Sequence, residues 1–221
     1  MKRLPALLLS VFALSAAIPF TAQSPGFVGI VGNWKTVDDG GPAFKVDTAG
    51  WSGTTDRAAI EPTVKSLFPT ANDTFFTNAT ARQAFPLAVF SETKDFTGGT
   101  IRVQFKLVGG MTDQTAGIVF NLKPNGEYFF VRYNTAESNI AVWRYRNGAR
   151  ARVAPGATSA QFPVGAWHEL AMTIDGSKLT ATVNGGALKH EYTMTEPVSG
   201  RVGLWTKRDA ITVFKNFKVT P

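Results

Sequence analysis

The chain has no cysteine and only two histidines, His168 and His190, among 221 residues. The first absence excludes a disulfide framework, a thiolate metal site, a redox pair and a cysteine nucleophile. The second excludes a metal centre built from histidine alone. Charge is sparse: 18% of residues are Asp, Glu, Lys or Arg against 44% hydrophobic, too apolar a balance for a disordered chain. Beyond Phe20 no apolar run approaches the ~18 residues of a spanning helix. No Gly-x-Ser-x-Gly elbow, His-Glu-x-x-His helix, EF-hand, Walker or Gly-x-Gly-x-x-Gly loop occurs.

What is present begins with a basic start, Met1–Lys2–Arg3, and an apolar run from Leu4 to Phe20. This is the n-region and h-region of a secretory signal peptide. Ser15 and Ala17 fit the small-residue rule at −3 and −1, and the polar exit at Thr21–Ala22–Gln23 suits a later cut. The expected signal peptide is therefore 1–22, with cleavage somewhere in 17–23, followed by one domain over 23–221. Export of a cysteine-free chain points to a bacterial envelope, so the expected location is periplasmic or secreted, with no membrane association after cleavage. Asn72–Asp73–Thr74 and Asn78–Ala79–Thr80 are glycosylation sequons that matter only for another origin.

From about Gly98 onward the chain alternates with period two. Ile101, Val103, Phe105 and Leu107 fall on one face of a strand, with Arg102, Gln104 and Lys106 on the other. Turn signals follow at Lys123–Pro124–Asn125–Gly126, Asn147–Gly148 and Asp175–Gly176. Roughly nine strands in ~120 residues, with no convincing amphipathic helix among them, read as an all-β, two-sheet antiparallel sandwich. Residues 24–97 are less regular: short strands at Ala43–Val46 and Phe85–Phe90 and one short helix over Ala58–Leu67, with Pro62 inside it.

A two-residue loop at Asn147–Gly148 fixes a register. Arg146 faces Ala149, Tyr145 faces Arg150, Arg144 faces Ala151 and Trp143 faces Arg152. Val142, Ala151 and Val153 then point to the core, while Trp143, Tyr145, Arg150 and Arg152 form two aromatic–arginine pairs on the opposite face. That face reads as a stacking platform for a sugar ring, as a sheet face stiffened by its cross-strand pairs, or as one covered by the irregular N-terminal segment. On the next strand Tyr128, Phe130, Arg132 and Asn134 share a face. Arg132 there needs a partner, for which Glu137, Asp113 and Asp209 are the candidates.

Catalytic signals are thin. Asp113, Glu137 and Asp209 are the candidate acids or bases, beside Arg132 and Lys207. The alternating Glu-x-Asp-x-Glu carboxylates of a sandwich glucanase, about 5–10 Å apart across a glycosidic bond, do not occur. His168 and His190 read as structural. No cofactor is indicated, although calcium held by Asp side chains and carbonyls stays open. The formal charge of +7 raises the question of anionic partners. Loss of Lys2 and Arg3 with the signal peptide takes the 23 basic side chains to 21 against 16 acidic ones, and the charge to +5. An exported sandwich without a recognition helix is a poor nucleic-acid binder, so carbohydrate or acidic polysaccharide is the expected partner.

Three stretches carry a resemblance: Trp167–His168–Glu169–Leu170, Leu179–Thr180–Ala181–Thr182–Val183–Asn184–Gly185 and Gly200–Arg201–Val202–Gly203–Leu204–Trp205–Thr206. They resemble the tail of laminin-G-like domains in the concanavalin A-like lectin/glucanase superfamily. Phe96–Thr97–Gly98–Gly99 to Phe120, Tyr128 to Asn134 with Glu137 and Asn139, and Trp205–Thr206–Lys207–Arg208–Asp209 look like bacterial exported domains labelled 3-keto-disaccharide hydrolase-like or "family 16 glycoside hydrolase". The resemblance covers about residues 85–219. It implies a concanavalin A-like jelly roll whose concave face handles carbohydrate. The expected function is an exported, lectin-like carbohydrate-binding sandwich using Arg132, Asn134, Trp143, Tyr145, Arg150, Arg152, Trp205 and Lys207. The alternatives are a sugar-active enzyme of the 3-keto-glycoside hydrolase or lyase kind, and a structural or interaction protein of the envelope.

Overall fold

The computed structural model describes residues 23–24, 26–47, 57–71, 84–159 and 161–221, with 23–24 and 57–60 as backbone alone. The expected signal peptide and both sequons lie outside the described residues. In chain order the elements are β1 (Gln23–Ser24), β2 (Phe27–Val31), β3 (Trp34–Asp38), β4 (Pro42–Val46), α1 (Arg57–Leu67) and β5 (Leu87–Phe90). Then come β6 (Gly99–Gly109), β7 (Thr115–Leu122), β8 (Tyr128–Asn134), β9 (Asn139–Arg146), β10 (Ala149–Arg152) and β11 (Ala157–Thr158). The last are β12 (Trp167–Asp175), β13 (Lys178–Val183), β14 (Leu188–Thr193), β15 (Arg201–Trp205) and β16 (Ile211–Thr220).

These strands make two antiparallel sheets, the expected all-β sandwich. The first runs β1-β2-β5-β15-β7-β8-β9-β10, with β11 also on β9; the second runs β14-β13-β12-β6-β16-β4-β3. Period-two alternation supplies the layer between them. Ile101, Val103 and Phe105 of β6 face Ile118, Phe120, Phe129 and Val131 of the first sheet in one cluster at or near zero exposure. His168 belongs to this scaffold. Its Nε2 lies 2.9 Å from the Pro163 carbonyl and its Nδ1 3.0 Å from Asn184 Nδ2, so both ring nitrogens are engaged and the structural reading holds.

The Asn147–Gly148 hairpin has the expected register at all four pairs, with φ of 51° and 75° at its two loop residues. Ala151 departs from expectation: it is exposed, because β10 is the last strand of the first sheet. The second hairpin pairs Asp175 with Lys178, so its loop is Gly176–Ser177 rather than Asp175–Gly176. Gly176 takes the first loop position, at φ +57°, where a side chain would be strained.

One feature of the layers decides where a ligand can reach. β7 and β8 are buried at every position, on both faces. A second apolar layer covers the outer face of the first sheet: Val64 and Phe68 at the end of α1, with Phe85, pack on Val119, Tyr128, Phe130, Tyr145 and Trp205. Trp205 lies flat because it faces Gly117, where a Cβ would stand 3.3 Å from the indole and 3.0 Å from the Val131 carbonyl. The cover spans one part of the outer face. The part it leaves holds polar side chains.

Candidate functional site

Where the apolar cover ends, β7, β8 and β9 carry the rows Gly117–Arg132–Ala141 and Thr115–Asn134–Asn139 on the outer face. Arg132 is 1% exposed. A charge so placed needs a partner, and the turn joining β8 to β9 supplies one. Nη1 and Nη2 of Arg132 donate to Oε1 and Oε2 of Glu137 at 3.2 and 2.7 Å. Nη2 also donates to Oδ1 of Asn139 at 3.2 Å. Asn134 and Asn139 each donate an amide N–H to Glu137, at 3.1 Å in both cases. Asn134 Oδ1 accepts from the Ala136 backbone at 2.9 Å and so folds the turn that presents Glu137. Of the three candidate partners for Arg132, Glu137 is the one used.

Those four donors fill both oxygens of Glu137 and hold its carboxyl down from 4.5 to about 2, chiefly through the Arg132 hydrogen bonds. A carboxylate so engaged stays ionised and orients the guanidinium, which is a positioning role rather than that of an acid or base. Asp209 is also spoken for. It accepts backbone N–H groups from Met111, Thr112 and Asp113 at 2.7, 2.9 and 3.0 Å, bracing the loop after β6. Its carboxyl lies below the usual range: burial would raise it, and the three N–H donors outweigh that. Gly110 makes the brace possible, because a Cβ there would stand 2.1 Å from the Asp113 carbonyl. Asp113 is 1% exposed, with Lys207 Nζ at 2.8 Å on Oδ1 and Arg208 Nε at 3.8 Å from Oδ2. Asp209→Ala is expected to cost about 2 kcal/mol, since three N–H groups lose a charged acceptor in a part-buried loop. Hydrogen exchange at Met111–Asp113 should rise with it, and unchanged protection there would contradict the bracing role.

Trp143 stands over this polar group, partly exposed. Three guanidiniums surround its ring, Arg150 at 4.3 Å, Arg132 at 5.2 Å and Arg152 at 5.9 Å from the ring centre. The cross-strand aromatic–arginine reading holds for this pair, with Arg152 exposed on the sheet edge. Tyr145 and Trp205, the other two aromatic binding candidates, are not open on this face. Tyr145 is 2% exposed, stacked on Tyr128 at 5.0 Å, and burial pushes its phenol up to about 12. Trp205 is fully buried, stacked at 4.1 Å on Phe130 and 5.8 Å from Phe85. Both belong to the second core, sealed by Phe85 and α1, and neither is open to a ligand.

The structure thus brings Arg132, Asn134, Trp143, Arg150, Arg152 and Lys207 to one end of the sheet, with Asp113 and Glu137 among them. It also adds Asn139 and Arg208. Asn139 was findable, because the four-residue turn after Asn134 sets it directly opposite on β9. Two non-glycine residues with positive φ flank the site, Ser138 at 50° and Arg208 at 46°. Both bend the chain so that the preceding Glu137 and Lys207 reach inward. Among the described residues no group of three or more His, Asp or Glu could hold a metal ion. The remaining described tryptophan on an outer face, Trp167, lies on the second sheet under Lys215 Nζ at 3.9 Å.

A laminin G family model of the concanavalin A-like lectin/glucanases superfamily matches residues 77–208. The chain belongs to that superfamily and is a lectin-like β-sandwich. Among solved structures it is similar to the carbohydrate binding module CBM66 from Bacillus subtilis, with a TM-score of 0.61 and 14% identity, over 90% of this chain and 98% of that one. It is more distantly similar to sheep galectin-11 in complex with glycerol, at a TM-score of 0.47 and 10% identity over 58% of this chain and 93% of that one. Chicken galectin 2 follows at 0.41 and 12% identity, over 55% and 89%. No curated protein matches the sequence.

Proposed function

We propose that the chain is an exported carbohydrate-binding module that takes glycan at the end of its first sheet, around Trp143. One observation carries the reading: a partly exposed indole stands beside a buried arginine locked by Glu137 and Asn139, with further guanidiniums at the rim. An aromatic face with fixed polar groups around it is what a sugar ring needs, since its C–H side stacks and its hydroxyls bond. Arg150, 4.3 Å from the centre of the indole and carried by the edge hairpin, puts a guanidinium directly beside the stacking face. The likeness to a carbohydrate binding module supports the class of ligand. Export rests on the Met1 to Phe20 segment and places the module in the periplasm or outside the cell.

A hydrolytic or lyase role finds less support, because Glu137 and Asp209 have all their oxygens committed to holding other groups. The test is retention in native gels containing plant and bacterial-envelope glycans. The wild type is expected to be retained on at least one, and Trp143→Ala to run as in a glycan-free gel while still folded by circular dichroism. Retention unchanged in Trp143→Ala would place the site elsewhere. Capture of an envelope protein with no glycan dependence would favour an interaction role.

A further inference from the structure

The chemical character of the ligand can be read from the hydrogen-bonding atoms that the site leaves over, an inference that rests on the glycan reading above. Among the described residues, three buried donors at this site have no hydrogen-bond partner: Nε of Arg132, Nη1 of Arg150 and Nε1 of Trp143. All three belong to side chains in mutual contact, since both guanidiniums lie against the Trp143 ring. Acceptors are nearly exhausted. Glu137 already takes four N–H groups. Asp113 gives one oxygen to Lys207, and its other oxygen is the single buried acceptor without a hydrogen bond at the site. The charges lean the same way: among the described residues, Asp113 and Glu137 are the carboxylates that pair with or act on Arg132, Arg150, Lys207 and Arg208. Burial, and after it repulsion from Arg132, already works against the charge on Arg150.

A sugar hydroxyl brings a donor along with its two acceptor lone pairs, and so relieves a surplus of donors only in part. A carboxylate or sulfate brings acceptors alone, and bonds from such a group to a guanidinium are the strong, charge-assisted kind. We propose that the glycan bound here carries an acidic substituent, a carboxylate or a sulfate, which seats on Arg150 beside Arg132 and Trp143 and takes the N–H groups left over. Arg152, exposed on the same edge strand, closes on the group from solvent, while Arg132 stays fixed in the grip of Glu137.

The test uses polymer pairs that share a backbone and differ in the acidic group. These are polygalacturonate against its full methyl ester, carboxymethylcellulose against hydroxyethylcellulose, and a sulfated agarose against agarose. Retention is measured at about 0.15 M salt, where charges more than about 8 Å apart are largely screened. The acidic member of at least one pair is expected to bind about tenfold tighter than its neutral twin, the worth of one charge-assisted hydrogen bond. The first two pairs report on carboxylate and the third on sulfate. Arg150→Gln with Arg152→Gln should abolish that preference. Lys94→Gln with Lys218→Gln removes the same charge from exposed positions outside the site and should leave it intact. Equal retention on acidic and neutral members overturns the acidic assignment and leaves the glycan reading standing. Equal losses in the two double variants reduce the effect to net charge and overturn it too. Retention on none of the six overturns both.

Discussion

Replacing Trp205 with alanine is expected to lower the unfolding free energy by about 3–5 kcal/mol, the range for emptying a large aromatic site in a packed core. The indole is fully buried, and its removal would part Phe130 from Phe85 across the layer that α1 and residues 84–86 lay over the first sheet. The cavity has little means of closing, because Gly117 opposite has no side chain to move in. Trp205→Phe keeps an aromatic face on Phe130 and should cost far less, about 1–2 kcal/mol. The pair of variants separates two roles for this residue. If Trp205 contacted glycan, Trp205→Phe would weaken binding while stability changed little. As a core residue, it should lower stability in both variants and leave glycan affinity in Trp205→Phe as it was. Urea unfolding with a binding assay on the same preparations gives both readouts.

The second large effect lies at Glu137. Glu137→Ala strands Arg132, 1% exposed, with only the Asn139 amide on its charged end, and is expected to cost about 3 kcal/mol at neutral pH. The pH dependence follows from the same pair. The Glu137 carboxyl is held down from 4.5 to about 2 in the folded chain, so the folded state binds its proton less readily than the unfolded state does. Its contribution is therefore complete above about pH 4.5 and is lost as the pH falls through that value towards 2. Because the Glu137 side chain is 46% exposed, solvent screening reduces this part to about 1–2 kcal/mol. Glu137→Gln should be less stable at pH 7 and should lose stability less steeply between pH 4.5 and 2 than the wild type. Parallel acid slopes in the two would show that the carboxylate holds no such charge-assisted bonds.

Much of this architecture is legible in the residues, because it rests on local rules. The alternation in β6 names its inward positions, and Asn147–Gly148 sets four cross-strand pairs without reference to the rest of the chain. Arg132 on a strand apolar on both sides announces a buried charge, and the turn at Glu137 answers it five residues on. What the pattern leaves open is whether the N-terminal segment covers that face, and with it the second apolar layer. Tyr145 and Trp205 alternate outward as a ligand platform would. They are closed off by Phe85, by Val64 of α1 and by Phe68 just beyond its end, which reach the sheet from a distant part of the sequence. A carboxylate's role is similarly invisible to spacing. Asp209 looks like a free acid until three N–H groups of a loop some hundred positions earlier are seen to end on it.

The central claim is that glycan docks at Trp143, and the five tryptophans offer a direct probe of it. Each indole N–H gives its own nuclear magnetic resonance signal, and Trp143→Phe assigns the one that matters. On titration with a glycan that retains the protein in gels, the Trp143 signal is predicted to shift with saturation. Those of Trp34 and Trp205, sealed in the two cores, and of Trp167 on the second sheet should stay in place. A shift confined to Trp167, or binding with the Trp143 signal unmoved, would contradict the account.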